Sequence, residues 1–362
     1  MKKILCMAIA TMMAISASAQ ETVKMLRVYE GDVVLFEHEY NSVDSVVFLD
    51  VKAPTGLLIG KFSINESGDQ VQFSHGNLQY QASTNTWRFA EHQYDTIGAG
   101  NVNASATYDG WIDLFSWATS GYDNTGNDPF AIRFHPWDNA TWYIGMENVP
   151  ITEIDSIDCS LVHIKGKCDT IWKDPVYYNS KDVNQFGYGP SSFMEDQNLT
   201  GTNYKYDWGY NPISNGGNKV GQWRTLSKDE WYYILFTRTN AQYLRSQATV
   251  CGVHGYVLLP DDFINPGVIW EFDTKNWTTN NFNAEQWAKL EAVGALFLPA
   301  AGMRGVSTYQ VNEEGYYQTS TRSTGQGNYS ARYFHFKEND VYVGDYWRYE
   351  GRAVRLVQDV QN

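Results

Sequence analysis

The sequence predicts an α+β fold: a loop-rich antiparallel sheet carrying two helices, preceded by a small β segment. Three observations predict it. The 362 residues are 43% hydrophobic and 19% charged, which excludes a disordered chain. Thirty glycines against 10 prolines, in text crowded with 25 tyrosines and 13 tryptophans, imply many turns and few long helices. Only two stretches, after Ser227 and after Asn283, combine helix-start chemistry with helical spacing.

In chain order, residues 1–19 read as a signal peptide. A basic start (Lys2, Lys3) precedes an apolar stretch from Ile4 to Ile15 and a small-residue site Ala17-Ser18-Ala19, so the mature chain is expected to begin at Gln20. The stretch is far shorter than the ~20 residues of a spanning helix. Cys6 lies at its front, where it cannot serve as a lipoprotein cysteine. No later segment approaches spanning length, so no membrane insertion of the mature chain is expected, and the compartment is the periplasm, the cell surface or the medium. The formal charge of −14 becomes more negative once Lys2 and Lys3 are lost. Such a charge repels phosphate backbones, so nucleic acid is not an expected partner.

Residues 20–55 form the small β segment and its linker. Met25–Tyr29 and Val33–Phe36 alternate in strand fashion around Glu30-Gly31-Asp32, and Ser45–Leu49 follows. Ala53-Pro54-Thr55-Gly56 is the linker, and 56–362 is the main domain. From 61 to about 220 only short apolar pieces stand between turn residues. Ser227-Lys228-Asp229-Glu230 is a capping box leading into Trp231, Ile234 and Leu235, a helix of about three turns. Asn283 caps a second helix with Trp287, Leu290 and Val293 facing inward. Ala295–Pro299, Tyr333–Phe336 and Ala353–Val357 read as strands.

Beyond Cys6 the chain holds Cys159, Cys168 and Cys251, an odd count for an oxidising compartment. Cys159 and Cys168 flank a strand-like Leu161–Ile164 and a Lys-Gly-Lys turn, where a hairpin-closing disulfide or two free thiols both fit. Cys251, in apolar surroundings, reads as a buried structural thiol. Four triplets beginning Asp44, Asp95, Asp155 and Asp169 resemble the Asp-Ser/Thr-aliphatic acceptor of a bacterial general O-glycosylation system, which would modify Ser45, Thr96, Ser156 and Thr170. Turn chemistry also produces such triplets, and ordinary strand entry is the reading adopted.

The segment Trp223-Arg224-Thr225-Leu226-Ser227-Lys228-Asp229-Glu230-Trp231 resembles the Trp-Arg-x-x-Ser/Thr-x-x-Glu-Trp motif of C-type-lectin-like modules related to formylglycine-generating enzyme. Leu298–Gly305, Gly315–Thr321 and a terminal Gly351-Arg352-Ala353-Val354-Arg355 follow in the order found in major-paralogous-domain (FISUMP-like) proteins and retroelement variable proteins. The resemblance covers about 61–358. Residues 24–50 look like a small module common in exported proteins of Gram-negative anaerobes. The resemblance implies a C-type-lectin-like domain in which Phe62–Phe73 lies near Val354–Val357. It also implies that Arg224 and Arg355 are buried and hydrogen-bonded. Trp223 and Trp231, beside a helix start, read as core.

The chemistry of those relatives does not carry over intact. No cysteine follows Cys251, so the copper-binding pair of the oxidising enzymes is missing. The sugar-binding calcium motifs of lectins are absent too. Asp123–Asp128 is oxygen-rich but fits no EF-hand-like spacing, so it reads as a solvated turn, with a structural calcium left open and no other cofactor expected. No paired histidines, nucleophile elbow or phosphate loop occurs.

What remains is a late concentration of rings. Asn328, Tyr342, Asp345, Tyr346, Trp347, Arg348 and Tyr349 are the expected ligand-binding residues, because Tyr, Trp and Arg are enriched at binding hot spots. In the resembling variable proteins this segment faces the ligand. The expectation is a secreted or surface binding protein, without catalysis, for a glycan or protein ligand. The alternatives are a carbohydrate-active hydrolase using acids such as Asp109 or Asp207, and a structural subunit of a surface fibre docked through residues 24–50.

Overall fold

The computed structural model describes residues 24–30, 33–40, 56–102, 107–121, 129, 142–144, 147–149, 198–305, 307–323, 330–348 and 350–361. It is a mixed α+β structure of small sheets with few helices. The chain divides into two units, residues 1–53 and 54–362. In the first, Lys24–Glu30 and Val33–Tyr40 pair antiparallel, with the register shifting between Val28 and Tyr29. The third expected strand, Ser45–Leu49, lies outside the described residues, as do Cys159, Cys168, the Asp123–Asp128 stretch, Ser45, Ser156 and Thr170.

In the second unit the first strands and the last strand of that unit meet. One sheet runs Arg224–Thr225, Leu356–Asp359, Gln70–Phe73, Phe62–Ser63, and Val357 faces Phe73 across it. A second sheet is built on the hairpin Arg245–Val250 and Val253–Leu258, flanked by Asn281–Phe282 and Leu296–Pro299. A third, of five strands, has the order Asp340–Trp347, Ser330–Lys337, Glu314–Arg322, Arg352–Ala353, Leu114–Phe115. The expected strand Ala353–Val357 is therefore two: the chain leaves the five-stranded sheet after Ala353 and enters the terminal sheet at Leu356.

Arg355 sits at that crossing. It is fully buried and donates to the side chains of Asn77 and Gln93 and to the His75 carbonyl, so one planar cation ties this crossing to two loops. Arg224 differs from expectation. It is only partly buried and grips carboxylates rather than carbonyls, two oxygens of Glu230 at 2.8 and 3.0 Å and Asp359 at 2.6 Å.

Both helices start as their caps dictate. Ser227 Oγ accepts from the Glu230 N–H while Glu230 accepts from the Ser227 N–H, and Asn283 and Gln286 repeat the device. The first helix is α-helical only over Lys228–Tyr232 and then widens into a π-helical stretch, Tyr233–Thr237. The second spans Ala284–Ala292 and buries Trp287 and Leu290. Trp231 packs against Phe73 and Phe334 at the centre of the main core, and Trp223 against Phe89 in a second core.

Two local expectations fail. Cys251 is exposed, because it and Gly252 form the two-residue connection of the Arg245–Leu258 hairpin, with φ of 50° and 86°. Such a turn places its central residues at the tip, away from the core. Asp95-Thr96-Ile97 enters no strand. It is irregular chain ahead of the 3₁₀ turn Gly98–Val102, with Asp95 accepting from the His92 N–H and the Ile97 N–H donating to Asp113.

Candidate functional site

The five-stranded sheet gives the late aromatic segment its geometry. Alternate residues of a strand point to opposite faces. In the three long strands one set, Tyr317, Phe334, Phe336, Val341 and Val343, packs into the main core. Gly315 belongs to this set, and the Phe336 ring occupies the space its side chain would take. The other set, Glu314, Tyr316, Tyr333, His335, Tyr342 and Tyr346, forms a second face of a different kind.

That face is a stack of phenols and an imidazole threaded by two carboxylates. The His335 ring lies 4.4 Å from the Tyr316 ring and 4.7 Å from the Tyr342 ring, centroid to centroid. His335 Nε2 meets Glu314 Oε2 at 2.7 Å, and the same carboxylate accepts from the Tyr316 hydroxyl and, at 3.0 Å, from Gln310 Nε2. The Tyr309 hydroxyl donates to Glu350 at 2.9 Å, and Arg352 donates to the other Glu350 oxygen at 3.1 Å. The Arg352 guanidinium lies over the Tyr333 ring at 4.7 Å and near the Tyr346 ring at 5.8 Å, a cation–π arrangement.

Burial sets the protonation of these groups. Loss of water pushes the phenols of Tyr309, Tyr316, Tyr333 and Tyr346 up, so they remain neutral donors. It pushes Glu350 up too, against the pull of Arg352 and Tyr309. It pushes His335 down, and the Glu314 carboxylate opposes that only in part. A neutral His335 directs its Nε2–H at Glu314, which leaves Nδ1 as a buried acceptor with no hydrogen-bond partner.

Tyr342 is the open member of the stack. Its relative exposure is 37%, against 2% for His335 beneath it. Gly344, two residues on, makes room for the Tyr342 ring: a Cβ there would stand 2.7 Å from a ring carbon and 3.3 Å from the Tyr333 hydroxyl. The Tyr333 and Tyr342 hydroxyls lie 3.4 Å apart. The face therefore offers one flat ring and a pair of hydroxyls, with the unpartnered imidazole nitrogen buried below them.

The expected binding residues scatter relative to this face. Tyr342 and Tyr346 belong to it. Asp345 alternates to the opposite side of its strand, where it accepts from Ser323 Oγ at 2.8 Å and faces Arg332 at 3.5 Å. Arg348 is fully buried, its guanidinium 4.6 Å from the Trp117 ring centroid and its Nε donating to the Ser330 carbonyl, so it organises the interior instead of meeting a ligand. Asn328, Tyr349 and the Trp347 side chain lie outside the described residues. Sequence reasoning missed Glu314, Tyr316, His335 and Arg352. The period-two pairs Glu314-x-Tyr316 and Tyr333-x-His335 were the available signal.

The acids of the hydrolase alternative do not combine. Asp207 is fully buried and accepts from the N–H groups of Gly209 and Thr225 and from the Thr225 hydroxyl at 2.8–3.0 Å. Burial pushes it up to about 6. Those three donors give it a turn-holding role. Asp109 is on the surface. Among the described residues no cluster of His, Cys, Asp or Glu has the arrangement of a metal site, and no helix is long and apolar enough to cross a membrane. Comparison with known proteins adds no name to this geometry: no family model, curated protein or solved structure matches the chain.

Proposed function

We propose that the chain is an exported binding protein with a C-type-lectin-like main domain, and that it recognises a glycan or protein ligand through the tyrosine face. The observation that carries this is the half-open Tyr342 ring over a buried, hydrogen-bonded bed with one unused acceptor, His335 Nδ1. A ring of this kind stacks on a sugar face or a flat peptide group at low entropy cost, because the neighbours already hold it. The ligand is neutral: the carboxylates of the face are committed to internal donors, and the chain's charge of −14 repels acidic groups. The meeting of the main domain's early strand Gln70–Phe73 with its last strand Leu356–Asp359 and the motif order from Trp223 to Arg355 support the domain reading. The basic and apolar start supports export.

An array of neutral and acidic glycans tests the site. Tyr342→Ala is expected to weaken binding of the neutral glycan selected by the wild-type chain roughly 30-fold, as for a central aromatic anchor. Undiminished binding by that variant would remove the assignment.

A further inference from the structure

A second surface, independent of the tyrosine face, is built around residues 260–273. Four of the nine large apolar side chains that stand exposed among the described residues, Tyr243, Ile264, Ile269 and Phe272, belong to it. Ile269 and Ile264 are the most open of all, at 84% and 79%. They flank the turn Asn265-Pro266-Gly267-Val268, so both project from one tip. Trp270 is half-buried behind them and donates to the Tyr243 carbonyl at 3.4 Å, and the Tyr243 and Phe272 rings meet edge to face at 4.6 Å.

The tip is held rigidly. Asn265 Oδ1 accepts from the N–H groups of Gly267 and Val268 at 2.9 Å, and Asn265 Nδ2 donates to the Val268 carbonyl at 2.9 Å. Pro266 has no N–H to satisfy. Val268 is anchored in the core between the two exposed isoleucines. Behind the tip, Asn280 bonds both backbone groups of Glu271, and Asp273 is fixed to Arg245. Branched aliphatics are thus presented outermost, with their neighbouring N–H groups closed, and an aromatic collar lies one layer back.

We propose that this tip is a peripheral wedge for the surface of a zwitterionic lipid bilayer. The layering matches the interface, where aliphatic groups reach the acyl boundary while Trp and Tyr rings stay at headgroup depth. The charge fits as well. Asp261 is neutralised by Arg238 and Asp273 by Arg245, which leaves the exposed Asp262 and Glu271 in the collar. A zwitterionic headgroup sets its cation outermost, level with those carboxylates, whereas an anionic surface repels them and the chain's overall negative charge. A second copy brings the same acids and the same net charge to the contact. The wedge is a loop and not a span, so it is compatible with the absence of a spanning helix among the described residues.

Flotation of the chain from Gln20 onward with phosphatidylcholine vesicles tests the wedge, the apolar leader being left out so that it cannot bind lipid itself. The wild type is expected to float with these vesicles and to float less with phosphatidylglycerol vesicles at low salt. The variant I264S/I269S is expected to partition at least about tenfold more weakly, since it loses two exposed aliphatic groups and no core contact. Brominated lipid should quench wild-type emission more than that of Trp270→Phe. Failure of the wild type to float overturns the proposal, and so does equal flotation of the double variant. Self-association in the ultracentrifuge that the double variant abolishes would make a second copy the occupant and would also overturn it.

Discussion

The two faces of the five-stranded sheet are made by the same strands, residue by residue in alternation, and are built on opposite principles. On one face Phe334, Phe336 and Tyr317 stack with Trp231 and Tyr256 in the main core, and their contribution is chiefly area removed from water. On the other face Tyr316, Tyr333 and His335 are nearly as buried, yet they are knitted to Glu314, Glu350 and Arg352 by hydrogen bonds and cation–π contacts. Rings alone therefore do not mark a site. What distinguishes the second face is polar groups held below one ring that stays open.

The largest effect separates the faces by stability. Phe334→Ala removes a fully buried ring from the main core and is expected to cost about 3–5 kcal/mol in urea denaturation, the range for such truncations. Tyr342→Ala, on the open side of the next strand, is expected to cost less than about 1 kcal/mol. Equal costs would mean that the second face is ordinary core.

Arg352→Met tests the polar side of the comparison. The guanidinium is fully buried and its partner Glu350 is nearly so. Removing it leaves a carboxylate without its cation, an expected loss of about 3 kcal/mol at pH 7. Burial already pushes Glu350 upward, so acidification should neutralise it and shrink the loss. A loss equally large at pH 5 and pH 7 would show that packing over Tyr333, and not charge, is what Arg352 supplies.

The same contrast explains what could be read from the sequence. Local chemistry was legible: the two capping boxes and Trp223 and Trp231 in cores follow from motifs of fixed spacing, whereas the meeting of Phe73 with Val357 was expected only from the family resemblance. The site was legible only in part, because the expectation took the residues from Tyr342 to Tyr349 as one ligand-facing group. Most of it is strand, and period-two alternation sends Asp345 away from Tyr342 and Tyr346. Arg348, at the strand's end, is drawn inward by Trp117, a residue 231 positions earlier whose proximity no local pattern announces. Cys251 misled because an apolar neighbourhood suggested burial, whereas a two-residue hairpin turn requires left-handed backbone at the tip. Ile264 and Ile269 carry no sequence mark of exposure at all. It follows from the Asn265 turn and from Val268 taking the inward place.

The smallest effect is the most specific to the polar face. Burial holds His335 below its ordinary value of 6.5, with Glu314 and Asp340 pulling upward and Lys337 downward. The folded ring is then neutral at pH values where the unfolded ring has begun to bind a proton. Its contribution to stability is therefore complete above pH 6.5 and is lost as pH falls from there toward the folded value. His75, lowered by burial and by Arg355, acts in the same direction. Asp113 and Asp207, pushed up to about 6, act in the other, since their folded forms take up protons first as pH falls. Only a difference between wild type and variant isolates the imidazole. Denaturant titrations of wild type and His335→Gln at pH 7.5 and pH 5 should show the wild type losing up to about 1 kcal/mol more on acidification, within the limit of ~1.4 kcal/mol per pH unit for one proton. A wild type that instead gains on the variant as pH falls would mean that His335 is an imidazolium paired with Glu314, and its Nδ1 would then be a donor and no longer a vacant acceptor beneath Tyr342.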